Sequence, residues 1–293
     1  MTKRMNPFDL TGPQFLLFYL VFGTGVIGAS IVIRKFWESA KAPKLDLSDP
    51  YLIAYLRGGP SEVLCVAMVS LIDRGVLLNN GIAIKLADNS KRISVNGPVE
   101  QALIEKFSIP GQSLSIFADQ SLHSSTAEYE KALENVRLLP DESIKQRRLL
   151  LFVVSSAILG AVGLIKISIA LERGRTNVGF LVILTIVSIV ILAKVSFPRL
   201  TESGKALLAD VQHLYGGLRE RAAFLRPGGA TLEPTMLAAA FGVGALAGDG
   251  FAYTNSLFPR ARKSANTSSC GSSCSSCGSS CGTSRDRPST PAR

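Results

Sequence analysis

The 293-residue chain is poor in charge and in aromatic side chains. Charged residues make up 18% of the sequence and aromatic residues 7%, whereas hydrophobic residues reach 47%. A soluble globular domain usually carries about a quarter charged residues, so this composition argues against an ordinary soluble protein. The mean hydropathy of +0.28 also excludes a disordered or fibrous chain.

The chain also lacks the motifs of common enzyme chemistry. It has two histidines, His123 and His213, which lie in unrelated segments, and it contains no phosphate-binding loop, no HExxH and no GxSxG motif. No acidic residue lies within its long apolar runs. The sequence therefore predicts a protein that is not an enzyme. A component of a membrane enzyme or transport system is the alternative.

Long apolar runs are what the chain has in abundance. Three of them cover residues 15–33, 149–171 and 178–197. Each is close to the roughly 20 residues with which a helix crosses a bilayer, so the sequence predicts three transmembrane helices. A cleaved signal peptide is the alternative for the first run, although its apolar part is longer than such peptides usually have.

Two features inside the runs bear on helix packing. Lys166 and Lys194 interrupt the second and third runs near span ends, where we expect each ammonium to extend to the interface. Small residues spaced four apart, such as Gly25 with Ala29 and Ser156 with Gly160, permit close helix approach. We interpret that spacing as packing within one bundle.

Positive charge near the span ends indicates the orientation. The six residues 172–177 between the second and third runs predict a hairpin with both ends on one side of the membrane. Flanking Lys and Arg residues then number nine on one face and four on the other, and the richer face is normally cytoplasmic. The nine are Arg34, Lys35, Lys41, Lys44, Lys145, Arg147, Arg148, Arg199 and Lys205, and the four are Lys3, Arg4, Arg173 and Arg175. The sequence thus predicts a multi-pass inner-membrane protein with its short N-terminal segment, residues 1–14, outside.

Residues 44–148 form a predicted cytoplasmic insert of normal domain size. Asp49 and Pro50 predict the start of a first helix, since Asp caps helices and Pro suits the first helical position. Apolar residues recur at helical spacing from about residue 61, and Gly75 ends this second helix.

Strands follow these two helices in the predicted insert. Apolar and β-branched residues at 76–78, 82–86 and 92–95 alternate with turn residues, and further helices are predicted at 98–107 and 126–139. Two helices followed by a hairpin resemble part of a winged helix. The predicted fold is therefore a mainly α membrane protein with a small α+β, winged-helix-like insert.

Winged helices often bind DNA, so a membrane-tethered regulator is an alternative function. The second helix would then read DNA, but Glu62, Asp73 and Arg74 give it no basic face. The insert as a whole has thirteen Asp and Glu against twelve Lys and Arg. We therefore expect the lipid bilayer and another protein as partners, and no nucleic acid.

Residues 198–262 form a predicted C-terminal helical region. Thr201 predicts the cap of a helix whose stripe includes Leu207 and Val211, and this helix can lie on the inner leaflet or against the insert. Residues 236–248 are apolar but short for a span, so a fourth span is the alternative to a re-entrant or core helix, of which this length is more typical.

Residues 263–293 form a tail of Ser, Gly and Cys whose composition predicts disorder. Cys270, Cys274, Cys277 and Cys281 are candidate ligands of zinc or an iron–sulfur cluster, although their C-x3-C-x2-C-x3-C spacing matches neither common metal motif. Disulfides would need the tail outside, against the predicted orientation. The remaining interpretation is a flexible extension without a cofactor, and no other cofactor is predicted.

Several short stretches together resemble an uncharacterised family of bacterial membrane proteins. The AYLRGGP sequence at 54–60 is the most specific of them, and the likeness covers about residues 5–225. The resemblance implies an N-terminal span, a cytoplasmic insert, a membrane hairpin and a variable Gly-, Ser- or Cys-rich tail, with no assigned activity. The other stretches are 6–10, 49–51, 70–75, and Gly174 and Arg175 leading into 178–180.

Overall fold

The structure is a computed structural model that describes residues 12–38, 48–81, 83–87, 95, 97–172, 179–228, 232–246 and 249–258. The described chain is mostly helical. Its helices are α1 (Gly12–Glu38), α2 (Pro50–Gly58), α3 (Pro60–Asp73), α4 (Gly97–Lys106), α5 (Gln120–Ser125), α6 (Ala127–Asn135), α7 (Glu142–Glu172), α8 (Gly179–Ser196), α9 (Glu202–Leu214), α10 (Gly216–Glu220), α11 (Glu233–Phe241) and α12 (Tyr253–Leu257). Strands β1 (Leu77–Asn79) and β2 (Ile84–Leu86) pair antiparallel, with Leu78 opposite Lys85.

Three long apolar helices, α1, α7 and α8, pack against one another as a bundle. Stretches of 25, 28 and 18 residues within them are long and apolar enough to cross a membrane. They coincide with the three predicted runs, so the prediction of three helices of spanning length is confirmed. Most of their apolar side chains are exposed, which suits a surface that faces lipid rather than water.

Polar contacts join the helices inside the bundle. The Tyr19 hydroxyl donates to the Leu159 carbonyl at 3.1 Å, and the Ser30 and Ser155 hydroxyls lie 2.9 Å apart. Lys166 is 9% exposed and its ammonium lies 4.6 Å from the centroid of the Phe15 ring. A cation–π contact thus places the ammonium against the first turn of α1, and the expectation that Lys166 extends to the interface stays a prediction.

The close helix approach occurs at a different glycine from the one predicted. A Cβ on Gly163 would lie 3.0 Å from Thr185 Oγ1, so α7 and α8 meet there. A Cβ at Gly25 or Gly160 would meet nothing within 4 Å. The predicted packing role of Gly25 and Gly160 is wrong, since these positions face away from neighbouring helices.

The second part of the fold is a helical domain with one continuous hydrophobic core. Helices α2 and α3 lie at its centre, with α4, α5, α6 and the hairpin around them. Helix α11 packs against both α2 and α3, and its residues 237–240 are fully buried. The apolar segment near residue 236 is therefore a core helix, one of the interpretations that the sequence left open.

Local signals at the start of the domain act as predicted. The Asp49 carboxylate accepts a hydrogen bond from the backbone N–H of Tyr51 at 2.8 Å, so Asp49 caps α2. Gly75 follows α3 with a φ of 70°, a conformation that favours glycine. Thr201 caps α9, and Leu207 and Val211 bury that helix against the domain.

One helix is shorter than predicted. Helix α6 ends at Asn135, whereas the sequence pattern extends it to Leu139. Arg137 adopts a φ of 59°, which breaks the helix, and the Leu138 N–H then bonds to the Leu133 carbonyl at 2.9 Å. The turn keeps Leu138 and Leu139 buried.

Part of the winged-helix prediction lies outside the described residues. Helices α2 and α3 followed by β1 and β2 have the predicted order. The proposed third strand at 92–95 falls on residues of which only Val95 is described, and Val95 is in no strand. The winged-helix likeness therefore stays a prediction.

Candidate functional site

A cavity of about 350 Å³ opens at the N-terminal end of α2. Its volume lies at the lower end of the range for small-ligand pockets, roughly 300–1,000 Å³. Tyr51 of α2, Ser70 of α3, Tyr129 of α6 and Thr235 of α11 line it, so four helices of the core contribute hydroxyl groups. The Tyr51 and Tyr129 rings meet edge to face with centroids 6.2 Å apart. Of these hydroxyls, those of Tyr129 and Thr235 can donate hydrogen bonds to one bound molecule.

A buried carboxylate, that of Glu100, holds one wall residue of the cavity in place. The Glu100 side chain is 0% exposed; it accepts a hydrogen bond from the Tyr51 hydroxyl and forms a 2.5 Å ion pair with Arg74 Nη2. A buried charge is tolerated when it is paired and hydrogen-bonded in this way. The pair therefore fixes the position of the Tyr51 ring on the cavity wall.

Glycine makes room for the second tyrosine. Gly97 begins α4 with a φ of 84°, and a Cβ there would lie 3.2 Å from the Tyr129 hydroxyl. Any other residue would be strained at that φ and would crowd the hydroxyl. The local backbone at the start of α4 thus shapes the cavity.

The two tyrosines of the cavity stay in their neutral forms. Burial, followed by the charge of Glu100 and the hydrogen bond to it, raises the pKa of Tyr51 well above its usual range. Burial, together with the charges of Asp49, Glu128 and Glu100, likewise raises the pKa of Tyr129. Both hydroxyls therefore remain protonated at neutral pH and do not act as bases. The Tyr51 proton is donated to Glu100, so Tyr51 can only accept from a bound molecule, whereas Tyr129 can donate.

The surroundings of Cys65, the single described cysteine, make its thiol unreactive. Cys65 lies on α3 and is 5% exposed. Burial, reinforced by the charge of Glu62, raises the pKa of its thiol well above the usual range. A protonated, inaccessible thiol is a poor nucleophile, so Cys65 acts as a small hydrophobic residue of the core.

A second cluster of functional side chains joins the bundle to the helical domain. Arg148 Nε contacts Glu38 Oε1 at 2.6 Å, and these side chains are 4% and 3% exposed. Arg148 also donates to the Pro198 carbonyl at 2.6 Å. Arg34 pairs with Glu202 at 3.0 Å and donates to the Val195 carbonyl at 2.6 Å. The ends of α1, α7, α8 and α9 are therefore held together by buried charge.

The AYLRGGP stretch forms the next connection, from the bundle to the core. Arg199, just after α8, donates from Nη2 to the Tyr55 carbonyl at 2.5 Å, at the C-terminal end of α2. Gly59 has a φ of 84°, and a Cβ there would lie 2.9 Å from Arg199 Nη2. The glycine thus leaves space for an arginine that satisfies carbonyls at the end of a helix.

Arg57 of the same stretch donates to carbonyls at the C-terminal end of α11, as Arg199 does for α2. Its Nε donates to the Ala239 carbonyl at 2.9 Å, and its Nη2 contacts Glu62 Oε2 at 2.5 Å. Gly242, with a φ of 97°, lies against this guanidinium. The most specific sequence motif of the chain is therefore a structural joint between helices.

The candidate metal ligands are not brought together by any described element. Cys270, Cys274, Cys277 and Cys281 lie outside the described residues. Among the residues that the structure describes, no group of three or more His, Cys, Asp or Glu side chains could hold a metal ion. The metal interpretation of the tail stays a prediction.

Sequence reasoning missed the central residues of both clusters. Glu38 and Glu100 carry no motif, and Arg34 and Arg148 were counted only as charges that orient the spans. One signal was present: Glu38 is an acidic residue one helical turn after Arg34, at the end of an apolar run.

Comparison of the chain with protein-family models, with curated proteins and with solved structures gives no match.

Proposed function

We propose that the chain is a non-enzymatic, multi-pass inner-membrane protein that holds a binding domain at the cytoplasmic surface. The three apolar helices anchor it, and the helical domain carries the recognition surface. The outward N-terminus and the cytoplasmic side of the domain follow from the positive charges that flank the spans. Another protein is the partner class that we favour.

The observation that carries this proposal is the buried junction between bundle and domain. The Arg34–Glu202 ion pair joins α1 to α9, and Arg199 donates to the Tyr55 carbonyl of α2. The Glu38–Arg148 pair holds together the ends of α1 and α7, and Arg148 also donates to the Pro198 carbonyl after α8. Such contacts hold the domain in one orientation relative to the bundle, because each is directional and because Arg34, Glu38 and Arg148 are buried. A fixed orientation suits a protein that presents a site at a membrane surface.

The cavity at the start of α2 is the site that we propose for recognition. Tyr129 stays a protonated donor, Tyr51 is a protonated acceptor whose own proton goes to Glu100, and the raised pKa of each keeps both from acting as a base. Hydrogen-bond donors and aromatic rings in a cavity support binding rather than catalysis. The tail thiols Cys270, Cys274, Cys277 and Cys281 extend the proposal as ligands for a metal or a partner.

Burial of α3 weighs against the tethered-regulator alternative. Residues 63–71 of α3 are all buried, by α2, α11 and α4 among others. A DNA-reading helix needs one exposed face that enters the major groove. The family resemblance implies the proposed arrangement of an N-terminal span, a cytoplasmic insert and a membrane hairpin, and it implies no activity.

Membrane sidedness tests the proposal with two variants that each carry one accessible cysteine. The four tail cysteines are changed to serine, and Cys65 stays because it is buried. Thr176→Cys lies between α7 and α8, whereas Gln101→Cys lies on the exposed side of α4. We expect an impermeant thiol reagent to label Thr176→Cys in intact cells and to label Gln101→Cys only after permeabilisation. Labelling of Gln101→Cys in intact cells would mean that the domain is not cytoplasmic.

A further inference from the structure

A narrow crevice lies between the ends of α1 and α7, apart from the cavity described above. Its walls include three arginines, Arg34, Arg147 and Arg148, against one carboxylate, Glu38. Trp37 stands beside them on α1. An arginine-rich crevice with a neighbouring tryptophan is typical of a headgroup site at a membrane surface.

Exposure along the two helices places this crevice at the edge of the lipid-facing surface. Val32 of α1 and Leu150 of α7 are 66% and 63% exposed, as expected of side chains that face acyl chains. Trp37, 50% exposed, follows Val32 by just over one turn, and Arg147 precedes Leu150 by just under one. The crevice therefore lies where apolar residues give way to charged ones, which is the depth of phospholipid phosphates.

The charges of the crevice are not all compensated within the protein. Arg148 pairs with Glu38, and Arg34 pairs with Glu202. Arg147 is exposed and forms no ion pair with the described part of the chain. Arg34 is 6% exposed, and its Nε has no hydrogen-bond partner among the described residues. A free cation and a buried free donor on one crevice together favour an anion.

We propose that this crevice binds the headgroup of an anionic phospholipid with a glycerol headgroup, such as phosphatidylglycerol. The inner space of about 20 Å³ is close to one water in size, so it accepts a hydroxyl but not a phosphate. The phosphate lies at the mouth, on Arg147 and beside the Trp37 indole N–H. A headgroup hydroxyl reaches inward toward Glu38 Oε2, which has no hydrogen-bond partner among the described residues. This inference rests on the proposed membrane insertion.

The chain reports on this site directly because Trp37 is its one tryptophan. The full chain is reconstituted in phosphatidylcholine vesicles that contain a small fixed fraction of brominated phosphatidylglycerol or of brominated phosphatidylcholine. Bromine quenches indole fluorescence at short range, so the ratio of the two quenching efficiencies measures lipid selectivity at Trp37. We expect brominated phosphatidylglycerol to be enriched about fivefold, the effect of about one arginine near the surface.

Variants separate the site from general charge attraction. Arg147→Gln should lower the selectivity ratio to about one, and Arg147→Lys should retain part of it because the charge remains. Lys145→Gln is the matched control, because Lys145 is two residues away and pairs with Glu134. It should leave the ratio unchanged. Arg147 is exposed, so its substitution should not unfold the protein.

The outcomes distinguish this inference from the proposed function. Quenching by neither brominated lipid would mean that Trp37 is away from the bilayer, and both proposals would fail. Equal quenching by the two lipids would overturn the lipid site alone and leave membrane insertion standing. An equal loss of selectivity in Lys145→Gln would overturn it too. If inorganic phosphate abolishes the selectivity, the crevice is a free-phosphate site and the lipid assignment is wrong.

Discussion

Glu38 and Arg148 show how two buried charges can hold together the ends of two bundle helices, α1 and α7, beside the helical domain. Neither residue would be stable alone at 3% and 4% exposure, because a buried ion loses its hydration. Together they form an ion pair, and the guanidinium also reaches the Pro198 carbonyl. The bidentate shape of arginine allows one side chain to serve both α1 and the segment after α8.

Removal of one partner should therefore be costly. Glu38→Gln leaves Arg148 charged and buried, and we expect the free energy of unfolding to fall by about 3 kcal/mol. Denaturant unfolding in detergent micelles, followed by circular dichroism, measures the change. The control is Glu134→Gln, which breaks the exposed pair with Lys145 and should cost at most about 1 kcal/mol.

A double variant separates the effect of an unpaired buried charge from a general loss of stability. Glu38→Leu combined with Arg148→Met removes both charges together, so its cost should be smaller than the sum of the single changes. If Glu38→Gln is no more destabilised than Glu134→Gln, the buried pair does not hold the junction.

At the scale of elements, helix packing in the bundle depends on which glycine faces a neighbour. Gly163 and Gly160 are three residues apart on α7, yet only Gly163 faces α8. In a lipid environment, close backbone contact and hydrogen bonds replace hydrophobic burial as the force between helices. The Thr185 hydroxyl, which donates to the Leu181 carbonyl, occupies the space beside Gly163.

A matched pair of substitutions tests this contact. Gly163→Val places methyl groups against Thr185 and should lower the free energy of unfolding by about 1–3 kcal/mol. Gly160→Val meets nothing within 4 Å and should change it by about 0.5 kcal/mol or less. Titration of the micelle-bound protein with a denaturing detergent measures the free energy of unfolding of both variants. Equal effects of the two would show that α7 and α8 do not meet at Gly163.

At the scale of the whole molecule, the chain after α8 completes the core that the chain before α7 begins. Helices α2 and α3 are separated from α11 by more than 150 residues, yet α11 packs directly on both. Arg57 and Gln212 donate to carbonyls at the C-terminal end of α11. The domain therefore folds from two segments whose ends the bundle brings together.

Truncation of one buried side chain tests whether these segments form one cooperative unit. Leu237→Ala on α11 removes a fully buried side chain and should cost about 2–5 kcal/mol. We expect amide hydrogen exchange in α3 to accelerate correspondingly, because both helices open together. Leu232→Ala, at a position that is 51% exposed, is the control and should change the hydrogen exchange of α3 little. Unchanged exchange in α3 of Leu237→Ala would contradict a shared core.

Local signals in the sequence predicted much of the fold and little of the candidate site. Asp49, Gly75 and Thr201 act through neighbours within a few residues, so their caps could be read directly. The end of α6 was missed because Arg137 breaks the helix to bury Leu138, which is a tertiary cause. Glu100 could not be found, since its partners Tyr51 and Arg74 are distant in sequence.

The sequence alone determined the three apolar helices, the caps of α2 and α9, and the distribution of flanking charge. These depend on hydrophobic length, local hydrogen bonds and composition, all of which are properties of short segments. Tertiary structure decided that α11 is a core helix, that Gly163 rather than Gly160 packs, and that Arg34 and Arg148 are buried in ion pairs. Each of these depends on which residues far apart in the chain come into contact, and pairing of that kind leaves no pattern in a single segment.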